Sequence, residues 1–126
     1  REVTKTNWYD GIYYGGEWFQ SDIRRATNHP GAYASFPFEG TGVRIHAQRY
    51  DDCGRFMVSI DDKVVGVMDQ YGPERGKDEQ WDYAGLEQGP HLIKMVLMND
   101  KNFQSKGNFV NIISIEVLGA PKEKVQ

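Results

Sequence analysis

Ala32-Tyr33-Ala34-Ser35-Phe36-Pro37-Phe38, then Glu39-Gly40-Thr41-Gly42, then Val43-Arg44-Ile45-His46-Ala47-Gln48 is the stretch that decides the fold class. In the first run Ala32, Ala34, Phe36 and Phe38 share one parity. In the last run Val43, Ile45 and Ala47 alternate with Arg44, His46 and Gln48. Alternation of period two marks a strand with one buried face. Pro37 cannot donate to a ladder, so it places the first run at an edge or a strand end. Gly40-Thr41-Gly42 reads as a turn between two strands.

The same period extends outward from there. Phe56, Val58 and Ile60 form an inward set, Asp61-Asp62-Lys63 a tight connection, and Val64 to Met68 the return of a hairpin. Gln70 to Gln80 reads as a long polar loop, and Trp81 to Leu86 as a short segment leading to Gln88-Gly89-Pro90. His91, Ile93, Met95 and Leu97 line one face of the next strand. Leu92, Val96 and Met98 on the other face are too apolar for full solvation and are expected to pack on something. After a polar loop from Asn99 to Asn108, Val110 and Ile112 share one parity, and Ile113, Ile115 and Val117 share the other. That switch predicts a β-bulge or burial on both faces. The aromatic, glycine-rich first third predicts one or two short strands. No window of ten residues has helical periodicity. The expectation is an all-β, jelly-roll-like β-sandwich of about eight antiparallel strands. Residues 1–120 form its single domain, and 121–126 read as a linker stub.

Composition narrows the function classes. Aromatics are 13% of 126 residues and are joined by 14 Gly, which suits pleated surfaces and tight turns. Net charge is −3, and the one adjacent basic pair, Arg24–Arg25, reads as a solvated loop. A basic stripe is missing, so no nucleic-acid partner is expected. No apolar run reaches the roughly 20 residues of a membrane span. Cys53 is the single cysteine, which excludes an internal disulfide and a multi-cysteine zinc site. The chain opens on Arg1 rather than Met, as expected of a processed chain or a segment of a longer one.

Several motifs carry a resemblance. They are Phe38-Glu39-Gly40-Thr41-Gly42-Val43, Val58-Ser59-Ile60-Asp61-Asp62-Lys63, Gly89-Pro90-His91, and Asn108-Phe109-Val110-Asn111-Ile112 with Ile115-Glu116-Val117. The series resembles the galactose-binding-domain-like β-sandwich modules attached to bacterial glycoside hydrolases and carbohydrate esterases. Tyr14-Gly15-Gly16-Glu17-Trp18 is similar to an element near their start. Asp62 departs from the pattern where these modules carry Gly, and Ile113 where they often carry Asp. The resemblance implies a non-catalytic accessory module that binds carbohydrate, linked covalently to a catalytic domain of a secreted or periplasmic bacterial enzyme. The alternative is a structural sandwich that packs against a catalytic domain without binding sugar, with Leu92, Val96 and Met98 at the interface.

Chemistry-bearing residues agree with binding over catalysis. The chain has no Gly-x-Ser-x-Gly elbow, no His-Glu-x-x-His and no phosphate loop. His46 is expected on an outer face, His91 inward and bonded to backbone, and His29 in a loop. Sugar binding needs flat aromatic faces for pyranose C–H groups and polar groups for the hydroxyls. Loops supply both in Tyr50, Asp51 and Asp52, in Tyr71 and Trp81, and in Asn102 and Phe103. Trp81 also fits as a core plug beneath a loop. No cofactor is expected. Asp51–Asp52 and Asp61–Asp62 are oxygen-rich turns of the kind calcium uses, but acidic residues at such places are more often simply turn formers.

Overall fold

The computed structural model describes residues 2–121, and their side chains from Lys5 onward. The expected linker stub at 121–126 therefore lies outside the described residues apart from Pro121. Ten strands and no helix make up the described chain. They are β1 (Glu2–Asn7), β2 (Tyr13–Gly15), β3 (Phe19–Ser21), β4 (Arg24–Thr27), β5 (Tyr33–Arg49), β6 (Arg55–Ile60), β7 (Lys63–Asp69), β8 (Lys77–Leu97), β9 (Val110–Ile112) and β10 (Ser114–Ala120). The larger sheet has the order β1-β10-β5-β8-β6-β7, with β2 also on β5. The smaller is β3-β4-β9. Every ladder is antiparallel.

Two long strands make the sandwich. β5 and β8 pair along their whole length, and the register slips once, between Gly40 and Gly42. Inward parity changes at the same place: Ala34, Phe36 and Phe38 are buried before it, and Val43, Ile45 and Ala47 after it. Gly40-Thr41-Gly42 is thus a bulged bend within one strand, not a turn between two. Strands that switch layers turn the corners of sandwiches in this way. One limb carries β2, β6 and β7, and the other carries β10 and β1. Side chains on both limbs and on β9 meet in a single core. Trp81, on β8 in the second limb, lies against β7 of the first. A Cβ at Gly66 would stand 2.9 Å from its Cζ2.

Three further expectations are refined. Gln70 to Gln80 is loop only as far as Gly76, because Lys77 already joins β8. The parity switch at Ile112–Ile113 marks the passage from β9 in the small sheet to β10 in the large one. The first third holds four short strands instead of one or two.

A pair of buried amides ties β9 to the rest. The Asn111 side chain accepts from Gln48 N at 2.9 Å and donates to Gln48 O at 2.8 Å. The Gln70 side chain likewise accepts from Asn111 N at 2.8 Å and donates to Asn111 O at 3.0 Å. Each amide imitates a neighbouring strand, satisfying backbone groups that would otherwise be buried unpaired at a cost of about 1–3 kcal/mol apiece.

Candidate functional site

The loops that follow β5, β7 and β8 gather at one end of the sandwich. Tyr50 N donates to Gln70 O at 3.3 Å, and Gly72 N donates to Tyr50 O at 3.1 Å. Gly54 N donates to Phe109 O at 2.6 Å, while Phe109 N donates to Asp52 O at 3.0 Å. Gly54 has no room for a side chain, since its Cβ would meet Asn108 Oδ1 at 2.6 Å. Ser105, buried, donates its hydroxyl to Cys53 O at 2.7 Å and closes the third loop onto the first.

These loops and β3, β4 and β9 enclose a pocket of about 160 Å³. Its base is Ala26, Cys53, Val110 and Asn111. Phe19, Ser21, Arg24, Tyr50, Asp52, Arg75 and Phe109 form its walls. Phe19 and Phe109 meet edge to face, with centroids 6.1 Å apart. Arg24 lies over the Tyr50 ring at 4.7 Å and Arg75 at 4.9 Å. Arg24 Nη1 donates to Gln48 Oε1 at 2.9 Å, and Tyr50 Oη donates to the same oxygen at 2.9 Å.

Charge around the pocket is partly compensated. Arg75 pairs with Asp51 and lies 4.0 Å from Asp52. Lys106 holds Asp51 from another side at 3.3 Å. Burial alone would push the Asp51 carboxyl up, but hydrogen bonds from Lys106 and Arg75 outweigh it and hold the group below the usual carboxylate range. Burial pushes the Cys53 thiol up to about 12, so it stays protonated at neutral pH.

The structure brings together part of the residue set named from sequence. Tyr50 and Asp52 line the pocket, and Asp51 stands behind it on Arg75. Tyr71 joins Tyr50 only through a backbone bridge. Trp81 packs between the limbs, stacked on Tyr83 with centroids 6.2 Å apart. Asn102 caps its own turn, accepting from Gln104 N at 2.9 Å. Phe103 is 90% exposed on the same loop and does not line the pocket. Arg24–Arg25 is not a solvated loop. It lies in β4, with Arg24 on Tyr50 and Arg25 over the rings of Trp8 and Tyr14. Arg24, Arg75, Phe19 and Phe109 were missed, because nothing local links them to Tyr50.

The oxygen-rich turns are engaged within the protein. Asp51 is held by two cations, and Asp61 accepts from His91 and Leu92. Among the described residues, no three His, Cys, Asp or Glu side chains gather as a metal set. A wider groove of about 580 Å³ lies beside Lys5, His46, Gln80 and Ser114. It contains no Phe, Tyr or Trp, so the smaller pocket is the better match to sugar chemistry.

Ten strands folded over one core, with a pocket in the gathered loops, define a β-sandwich module. Comparison with known proteins places that fold. No family model matches the chain. It superposes on the CBM36-1 domain of a multidomain xylanase from the hindgut metagenome of Trinervitermes trinervoides with a TM-score of 0.69. The two are 16% identical over 96% of this chain and 100% of that one. A family two carbohydrate esterase from Cellvibrio japonicus matches with a TM-score of 0.72 and 14% identity, over 96% of this chain and 36% of that one. In sequence, the chain is 33% identical over 90 residues to an A type blood α-D-galactosamine galactosaminidase of Flavonifractor plautii. That match takes in 71% of this chain but spans only 8% of the relative. The chain therefore has the β-sandwich fold of these domains of larger carbohydrate-active enzymes. Among the described residues, no helix is long and apolar enough to cross a membrane.

Proposed function

We propose that this chain is a non-catalytic carbohydrate-binding module of a glycan-degrading enzyme, and that it takes sugar in the Tyr50 pocket. The observation that carries the reading is the pocket's mixture of surfaces. Phe19 and Phe109 present apolar rings, and Ser21, Arg24 and Asp52 present hydrogen-bonding groups beside them. A pyranose needs both, with its C–H face on the rings and its hydroxyls on the polar groups. At about 160 Å³ the pocket is smaller than the roughly 300–1,000 Å³ of drug-sized sites, which suits one sugar unit and not a long chain. Tyr50 contributes less as a platform than its loop setting suggests, since two guanidiniums lie over its ring.

Binding would raise the local concentration of a covalently linked catalytic domain at its substrate. The setting is outside the cytoplasm, secreted or periplasmic, where polysaccharide is met. The reading requires no cofactor. A catalytic role of the pocket itself is disfavoured, because a glycosidase needs a pair of carboxyl groups about the scissile bond and Asp52 is the one carboxylate that lines the pocket.

A glycan array followed by calorimetry on the isolated chain tests this. Phe19→Ala and Phe109→Ala are each expected to weaken binding about tenfold, near 1.4 kcal/mol, in line with the loss of one partly covered ring. Failure to bind any plant, host or microbial glycan would discard the reading. Unchanged affinity in both variants would move the site elsewhere.

A second reading is the structural module, and one observation favours it. Tyr33, Val64, Val67 and Leu92 are exposed on β5, β7 and β8 of the first limb. Val96 on the same strand as Leu92 is half-buried. An interface with a neighbouring domain would cover them, and an isolated chain that aggregates without binding glycan would support it.

A further inference from the structure

Of the six described arginines, four hold a carboxylate: Arg44 with Asp82 at 3.0 Å, Arg49 with Glu79 at 2.9 Å, Arg55 with Asp69 at 3.1 Å, and Arg75 with Asp51. Arg25 lies over two aromatic rings. Arg24 is different. It lines the pocket, and its hydrogen bonds go to two neutral oxygens, Gln48 Oε1 at 2.9 Å and Ser21 Oγ at 3.4 Å. It forms no ion pair among the described residues. A guanidinium has five N–H donors, so three remain after those two bonds. Stacking on Tyr50 and the bond to Gln48 fix its plane in advance.

We propose that the sugar taken by this pocket carries an anionic group, a carboxylate or a sulfate ester, and that Arg24 is the residue that recognises it. This rests on the carbohydrate-binding reading and names its ligand class. The local charge supports it. Among the residues that line the pocket, Arg24 and Arg75 are cationic and Asp52 is the one carboxylate, an excess of one positive charge in a chain whose net charge is −3. Arg75 is neutralised by Asp51, and Asp52 lies on the Arg75 side. Arg24 is the pocket cation with donors to spare and no carboxylate partner among the described residues, and oxyanions that accept two parallel N–H bonds are the groups a guanidinium binds best.

Calorimetric titration of the unmodified chain separates the outcomes. The probes are oligomers of galacturonate and glucuronate, their methyl esters, neutral galacto- and gluco-oligosaccharides, and a sulfated galactose oligomer. An acid is expected to bind at least tenfold more tightly than its own methyl ester, with the advantage shrinking as salt is raised. In Arg24→Gln, checked for folding by circular dichroism, the ratio of acid to ester should fall to about one. Arg24→Lys should retain part of it. Preference for the sulfated oligomer alone would support the proposal and name sulfate as the group. Equal affinity for acid and ester, with no preference for the sulfated oligomer over its neutral counterpart, would overturn the proposal and leave the carbohydrate-binding reading standing. Absence of binding in every arm, neutral sugars included, would overturn both.

Discussion

His91 has an oxygen acceptor at each ring nitrogen. Nδ1 meets Asp61 Oδ2 at 2.5 Å and Nε2 meets Glu87 O at 2.7 Å. A carbonyl oxygen can only accept, so satisfying both contacts with an ionised Asp61 requires the imidazolium. The Asp61 hydrogen bond, then the Glu87 carbonyl, hold the His91 pKa above its ordinary value. A folded-state pKa raised in this way adds stability that is full below the unfolded value of about 6.5 and is lost as pH rises through the folded value. Thermal unfolding should therefore show a fall in stability on the alkaline side of that window. His91→Gln should remove the slope, and an unchanged pH profile would contradict the assignment. Parity placed His91 inward with a backbone bond, and one of its two bonds is of that kind. Asp61 as the second partner was not legible, because it lies 30 residues away on a different hairpin. Tyr50 was legible as a site residue for a local reason, an aromatic beside two aspartates in a turn-rich loop. Arg24 was not, since its meeting with Tyr50 depends on how β4 is laid against the end of β5.

The β6–β7 hairpin shows the same division between local and distant information. Its existence was plain from the inward set Phe56, Val58 and Ile60, the tight Asp61-Asp62-Lys63 connection and the return from Val64 to Met68. Its turn type was not, because Asp62 stands where a glycine would be the easier choice. Asp61 and Asp62 both have positive φ, 53° and 68°, the pair of left-handed residues that a two-residue type I′ connection requires. Asp61 repays the strain through His91 and through the Leu92 amide at 2.9 Å. Among the described residues, no bond of this kind supports Asp62. Asp62→Gly is expected to stabilise the chain by about 0.5–1 kcal/mol in urea unfolding. A loss of stability would mean that the Asp62 carboxylate has a role its geometry does not reveal. The glycines at the β5 bend invert this lesson. Gly40-Thr41-Gly42 reads as a turn because glycine so often serves one. Here the requirement is close approach: a Cβ on Gly40 would sit 2.6 Å from Leu118 O, and one on Gly42 would sit 2.7 Å from Tyr83 O. Neither distance could be foreseen from residues neighbouring in sequence.

At the scale of the molecule, the all-β class and the single core were legible from period two alone. The number of strands and their continuity were not, because short strands lack enough residues to show a period and long ones were cut at their glycines. The β5–β8 ladder that results joins residues at very different separations. Arg49 pairs with Lys77, 28 residues on, while Tyr33 pairs with Val96, 63 residues on. The entropy lost in closing a loop rises with its length, so the two ends of one ladder do not start level. The end next to the Tyr50 pocket closes the shorter loop, and zipping is expected to begin there and pass over the bend. Ala47→Gly and Ala34→Gly make the same deletion in the core at the near and far ends, where both alanines are buried. Stopped-flow refolding should show the first mainly slowing folding and the second mainly speeding unfolding. Reversed φ-values would place the nucleus in the other limb. In the expected order, the part of the chain offered to ligand is the first part to take shape.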